Sequence, residues 1–199
     1  MKSSTTVFGR IVKKYDLPLD GVEDLNIKYE EAKEQLRSFG HRLAGRLDSE
    51  LEFTNILQST ALFKNITLCM QDYIESMVEF KLFSGDKRLD IISCWINDMQ
   101  ENEYNPPHTH HDSTGFSTVL FLKIPEYVND VKDPHKFKDG NLGFISHDGL
   151  GATWIEPKVG EFFIFEAAHQ HMVMPFKVKN KGDIRRSMSF NFIRTINVK

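Results

Sequence analysis

Cysteine is scarce in this chain of 199 residues. The two present, Cys69 and Cys94, form neither a metal-type pair nor a disulfide framework, so a reduced, intracellular (cytoplasmic) setting is expected. Long apolar runs are missing too. None approaches the roughly 20 residues that cross a bilayer, and the opening MKSSTTVFGRIVKKYD has no apolar core of the secretory kind. No membrane association is therefore expected. Nor does charge of one sign dominate: 25 Lys and Arg against 28 Asp and Glu leave a net charge of −3, which gives no electrostatic case for nucleic acid. Internal repeats and low-complexity segments are absent. What the chain does have is 40% apolar residues, enough for a packed core rather than disorder.

The hydrophobic period changes near Leu89. Before it, Val22–Phe39 places Leu25, Tyr29, Ala32, Leu36 and Phe39 on one helical face. From Thr60 to Phe80, Leu62, Phe63, Ile66, Cys69, Met70, Tyr73, Met77 and Phe80 recur at the same spacing. Both stripes read as core. A short β-like stretch, Thr6–Val12, precedes them. After Leu89 come short segments rich in β-branched and aromatic residues, set apart by Gly, Pro, Asn and Asp. They are Leu89–Met99, Phe116–Ile124, Gly143–Ser146, Thr153–Ile155, Glu161–Phe165, His171–Val178 and Ile184–Ile196. Helices first and closely spaced strands after predict an α+β fold. It is read as one domain over residues 1–199, with 1–88 a mostly helical support packed on one sheet and 89–199 a two-sheet β core. Between them in character is the charged segment 125–140, PEYVNDVKDPHKFKDG, which reads as a surface loop or as a wall over a site.

Five of the eight histidines fall in two short clusters, His108, His110 and His111, then His169 and His171. In an extended chain residues two apart share a face, so His110 and Asp112 project together. An imidazole and a carboxylate on one face, completed by an imidazole from a distant strand, make a ligand set suited to Fe(II) with positions left open. A lone His–any–Asp is weak evidence. His171 follows an apolar strand and is the fitting distal imidazole, and His169 shares its parity as a rival. On the near side, His108 with His110 is the competing pair. Free imidazole titrates near ~6.5, so metal affinity would be expected to fade through that pH range. The third piece is Arg185-Arg-Ser-Met-Ser-Phe-Asn191, where Arg185, Ser187, Ser189 and Asn191 alternate with Met188 and Phe190. Either face can be inward on period alone. If the polar one is, Arg185 and Ser187 line a pocket and can hold a carboxylate, and Arg186, on the opposite face, has only a surface role.

These pieces occur in an order that resembles the Fe(II)/2-oxoglutarate-dependent dioxygenases. Trp95-Ile-Asn97, Asn105-Pro-Pro-His108-Thr-His110, Phe116 to Pro125, Pro157-Lys-Val-Gly160, His171-Met-Val-Met-Pro175 and Arg185 to Asn191 look like the 2OG-Fe(II) oxygenases of bacteria and tailed phages, distantly similar to prolyl hydroxylases. The resemblance covers roughly Leu89–Ile196. It implies a double-stranded β-helix (jelly roll), with Fe(II) held by His110, Asp112 and His171 as the catalytic centre. It also implies 2-oxoglutarate as co-substrate, bound through Arg185, Ser187 and Asn191, and hydroxylation of a peptide, amino acid or other small substrate with release of succinate and CO2. A cupin-like jelly roll that binds metal through His108, His110 and His171 is the alternative, and it would need no cation at Arg185. No sequence feature identifies the substrate.

Overall fold

The computed structural model describes residues 9–79, 88–110, 114–146 and 148–195. Among these, ten strands form two antiparallel sheets. The chain runs β1 (Val12–Asp16), α1 (Leu19–Ala32), β2 (Ser49–Glu52), α2 (Thr54–Leu57), α3 (Phe63–Glu79), β3 (Arg88–Met99), β4 (Asn105–His108), β5 (Phe116–Lys123), β6 (Leu142–Ile145), β7 (Ala152–Ile155), β8 (Glu161–Glu166), β9 (His171–Val173) and β10 (Arg185–Thr195). The large sheet has the order β1-β8-β5-β10-β3-β2 and the small one β4-β9-β6-β7. This is the double-stranded β-helix, with helices on the outer face of the large sheet.

Parity explains both layers. On the large sheet, Cys94, Ile96, Leu120, Leu122, Phe162, Ile164, Met188, Phe190 and Phe192 face outward. They pack against Val22, Leu25 and Tyr29 of α1 and Ile66, Met70, Tyr73 and Met77 of α3. The opposite parity, Met99, Val119, Phe121, Phe163 and Phe165, faces Leu142, Phe144 and Val173 of the small sheet. Because both faces are covered, β5 is buried from Phe116 to Leu122 without a break, and its strand character shows in composition rather than alternation. Cys69, expected in the α3 stripe, is only half-buried.

Three expectations need correcting. The helical half also supplies both edges of the large sheet. β1 pairs with β8 and β2 with β3, and the expected early strand begins at Val12; its residues 6–8 lie outside the described residues, as does Phe80. The helix expected to reach Phe39 ends at Ala32, and the chain is extended by Leu36. Beyond it, Glu52 N–H donates to Arg37 C=O, Phe39 N–H donates to Glu50 C=O, and the Phe39 ring stacks on Trp95 at 5.4 Å between centroids. Pairing and stacking with distant residues outweigh a local helical preference worth tenths of a kcal/mol per residue.

The third correction concerns Arg186. It does lie on the face opposite Arg185, but that face is covered, and Arg186 is 2% exposed. Its guanidinium forks onto Asp98 at 2.6 and 2.8 Å, reaches Glu30 at 2.8 Å and Asn26 at 3.2 Å, and lies 4.4 Å over the Tyr29 ring. It ties α1 to the sheet. The pairing with Lys33 and Arg186 holds the Glu30 carboxyl down to about 2. Arg186→Ala leaves Asp98 without its fork and is expected to cost about 3 kcal/mol, since a buried pair has lost one partner. A surface position would change stability by no more than about 0.5 kcal/mol. Urea unfolding of the variant separates the two.

Candidate metal and co-substrate site

The strand pairing of the small sheet assembles the histidines. β4 and β9 are antiparallel with His108 opposite His171. His110 follows two residues later, its N–H donating to the Ala167 carbonyl at 3.0 Å. One ligand atom from each of His108, His110 and His171 falls within 4.8 Å of the others. The Nε2 atoms of His110 and His171 stand 3.1 Å apart. Asp112, the expected carboxylate ligand, lies outside the described residues. His169 does not join: its Nε2 faces the Ile145 carbonyl at 3.2 Å and its ring packs on Phe144.

Two carbonyls fix the tautomers. His108 Nδ1 is 2.7 Å from Pro106 O, and His171 Nδ1 is 2.9 Å from His169 O. A carbonyl only accepts, so each Nδ1 carries the proton and each Nε2 presents its lone pair inward. Trp95 and Phe165 crowd the rings of His110 and His171. Burial first, and the neighbouring imidazoles second, press the His110 pKa down to about 3 and that of His171 well below its ordinary value. His108 is lowered by burial as well. The three rings are therefore neutral, the form that coordinates a cation. The 3.1 Å gap between His110 Nε2 and the His171 Nε2 lone pair is one that a ring proton or a shared metal fills, and this donor set fits a divalent first-row metal.

Arg185 is buried in the same slot between the sheets, 1% exposed. Among the described residues no carboxylate meets it. Nε donates to the Gly140 carbonyl at 3.1 Å, Nη1 reaches Met99 Sδ at 3.4 Å, the guanidinium lies 5.0 Å over Phe121, and Nη2 has no partner. Tyr127 was missed by the sequence reading. It sits in the charged 125–140 segment, yet its hydroxyl is buried beside the Arg185 guanidinium, close enough for the cation to act on it but outside good hydrogen-bond geometry. Gly140 makes this possible. Its φ is +68°, and a Cβ there would lie 2.4 Å from the Tyr127 hydroxyl, so any other residue would be strained and would collide. The signal was an aromatic in a charged loop that a Gly terminates. Leaving a buried cation with an open donor costs free energy unless a ligand meets it.

Ser187 lines the slot beside Arg185, with Asn97, Ser189, Asn105 and Glu50. Asn191 is six residues from Arg185 on β10, roughly 20 Å along the strand. It opens instead onto a neighbouring cavity of about 250 Å³ that shares His108 and His110 and is rimmed by Phe39, Arg42 and Leu43. The imidazole cluster thus lies between the buried end of the slot, where Arg185 sits against Tyr127, and this neighbouring cavity. The slot itself has about 30 Å³ of free space, room for roughly one water, so a diacid enters only as its lining yields.

A metal-binding jelly roll with a cationic closed end is the class that this geometry defines. Residues 93–191 match the family model described as "Putative 2OG-Fe(II) oxygenase", and the chain belongs to this family of 2-oxoglutarate- and Fe(II)-dependent oxygenases. Similar solved structures include a prolyl-4-hydroxylase of Pseudomonas putida, 21% identical with a TM-score of 0.58, covering 94% of each chain. Another is the viral collagen prolyl hydroxylase of Paramecium bursaria Chlorella virus-1, with 13% identity, TM-score 0.55, and 93% and 96% of the two chains covered. A third is a prolyl hydroxylase of Trichoplax adhaerens, 10% identical with a TM-score of 0.60, covering 93% of this chain and 83% of that one. At these identities the likenesses establish the fold. No curated protein matches the sequence.

Proposed function

We propose that this oxygenase holds Fe(II) through His110 and His171 with His108 beside them, and seats the far carboxylate of 2-oxoglutarate on Arg185 and the Tyr127 hydroxyl, with Ser187 alongside. Asp112, two residues beyond His110, is the carboxylate that the sequence offers to the same ion. When bound, iron and 2-oxoglutarate supply the oxidation of a C–H bond, with succinate and CO2 as co-products. The chain's own part is positional. The Pro106 and His169 carbonyls aim two imidazoles, Trp95, Phe144 and Phe165 keep water out, and Arg185 neutralises the carboxylate that a metal cannot reach. The oxidised group of a small molecule or peptide then enters from the Asn191 side.

The observation that carries this reading is the buried Arg185 guanidinium, its Nη2 without an acceptor among the described residues, at the closed end of the histidine slot. A metal-binding cupin-like module has no use for a buried cation there, whereas a dicarboxylate co-substrate needs one. The test is thermal unfolding with Mn(II), a redox-silent stand-in, with and without 2-oxoglutarate. Ligand held at a hundred times its dissociation constant stabilises by about 2.7 kcal/mol. A melting temperature raised by Mn(II) and raised again by 2-oxoglutarate, but not by succinamide, is the expected result; indifference to 2-oxoglutarate would leave only the metal module.

A further inference from the structure

Glu50 is a buried acid that the fold leaves unanswered. It is 4% exposed, on β2, outside the segment that matches the family model. Its register partner on β3 is Asn97, whose own partner on β10 is Ser187. These three form one row on the inner face of the large sheet, and all three line the slot that holds His108, His110, His171 and Arg185. No hydrogen bond or ion pair from the described residues reaches the Glu50 carboxyl. Burial, with Glu103 nearby, pushes its pKa up to about 7, where a paired acid would be held down.

A second observation points the same way. Asn97 is 5% exposed, and its Oδ1 is buried with no donor. A third acceptor stands close by: a Cβ at Gly45 would lie 2.5 Å from Asn105 Oδ1 and 2.7 Å from Glu50 Oε1, and one at Gly40 would lie 2.9 Å from Glu50 Oε2. The strap that carries Gly40, Leu43 and Gly45 therefore closes directly over the carboxyl, and side chains there would fill the space. Among the described residues no donor lies within hydrogen-bond reach of Asn97 Oδ1, and none is paired with the Glu50 carboxyl. Buried acceptors without donors are costly and mark a place where a ligand completes the hydrogen bonding.

We propose that Glu50, with Asn97, is the substrate-recognition subsite of this oxygenase, and that it takes a protonated nitrogen, the ammonium or guanidinium of a basic amino acid or of a peptide that carries one. This rests on the oxygenase reading above and adds the substrate class to it. A cation brings several N–H donors on one centre, which suits a carboxylate and an amide oxygen side by side. A neutral isostere would leave the acid unpaired, so discrimination is expected to be large. Glu50 touches substrate in this scheme, not the co-substrate, whose charge is already met by Arg185.

The test uses the full chain loaded with Fe(II), and follows 2-oxoglutarate-dependent succinate release. L-Arginine and L-lysine are set against citrulline and norleucine, each also as the central residue of a capped tripeptide. At least one basic probe should stimulate turnover at least about tenfold more strongly than its neutral counterpart. Glu50→Gln, which keeps the volume, should raise KM for that probe about tenfold to a hundredfold while leaving the 2-oxoglutarate dissociation constant and the Mn(II)-bound melting temperature in place. Equal stimulation by neutral probes, no stimulation by any basic probe, or a Glu50→Gln defect that falls on 2-oxoglutarate or metal affinity instead would each overturn the assignment. The underlying reading fails separately, and only if the parent protein shows no 2-oxoglutarate binding with metal.

Discussion

His171→Ala is expected to abolish tight Fe(II) or Mn(II) binding, and His110→Ala likewise, since these imidazoles face one another at 3.1 Å. His169→Ala should bind metal as the parent does, because its ring is turned to the Ile145 carbonyl. His108→Ala is expected to weaken metal binding by at least about tenfold to a hundredfold, the scale on which even ligand-orienting groups act. The pair His108→Ala and Asp112→Ala decides the third position. Intact affinity in the first with loss in the second would return that position to the carboxylate. Isothermal titration with Mn(II) reads all five variants.

The same burial sets a pH signature. Free histidine accepts a proton near ~6.5, but in the fold burial lowers all three cluster histidines, His110 to about 3. Between those values the unfolded chain binds protons that the folded chain refuses. Stability of the metal-free protein should therefore rise with pH from about 3 to about 6.5 and gain nothing more from these groups above it. For the same reason metal affinity should hold below pH 6.5 rather than fade there, a reversal of what free imidazoles would do. Chemical denaturation and Mn(II) titration between pH 5 and 7.5 measure both.

Arg185→Ala should raise the 2-oxoglutarate dissociation constant of the metal-loaded protein by at least about tenfold to a hundredfold, the loss of one partner of a desolvated charge pair. Arg185→Lys should recover part of it, because an ammonium lacks the planar fork. Tyr127→Phe should weaken binding less, since it removes a neutral donor. The stability of the metal-free protein should move the other way. Arg185 is fully buried, Nη2 is unpartnered, and burial depresses its pKa. Removing a cation held without its counter-charge relieves a cost, so Arg185→Met is expected to melt no lower than the parent while losing its response to 2-oxoglutarate. A large drop in stability would instead mean that the Gly140 and Met99 contacts satisfy the guanidinium, and that no ligand is needed to complete it.

The long periodic stretches were legible because they are repeated choices along the chain. The α3 stripe from Leu62 to Met77, the strands around Trp95, Leu120 and Phe163, and the polar–apolar alternation from Arg185 to Asn191 each commit to one period. Motif order along the chain carried the family resemblance, since His110, His171 and Arg185 keep their sequence and spacing whatever surrounds them. Period could not say which face of β10 was inward, because both faces of that strand are covered. Helices and small sheet bury Arg186 and Arg185 alike, and only their partners differ: Asp98 and Glu30 for one, an open donor for the other.

By itself, then, the sequence determined the α+β class, a mostly helical first half before a strand-rich second, and two histidine clusters followed by an alternating arginine strand. Those are properties of local pattern and of composition. The tertiary structure alone decided that Phe39 leaves the helix to stack on Trp95, that β1 and β2 extend the large sheet, and that His171 rather than His169 faces His110, with His108 beside them. It also brought Tyr127 and Glu50 into the slot from segments read as surface loop and helical support. Each of these depends on strand register, where one residue's shift reverses every side chain, and on pairings between residues tens of positions apart, which no local preference encodes.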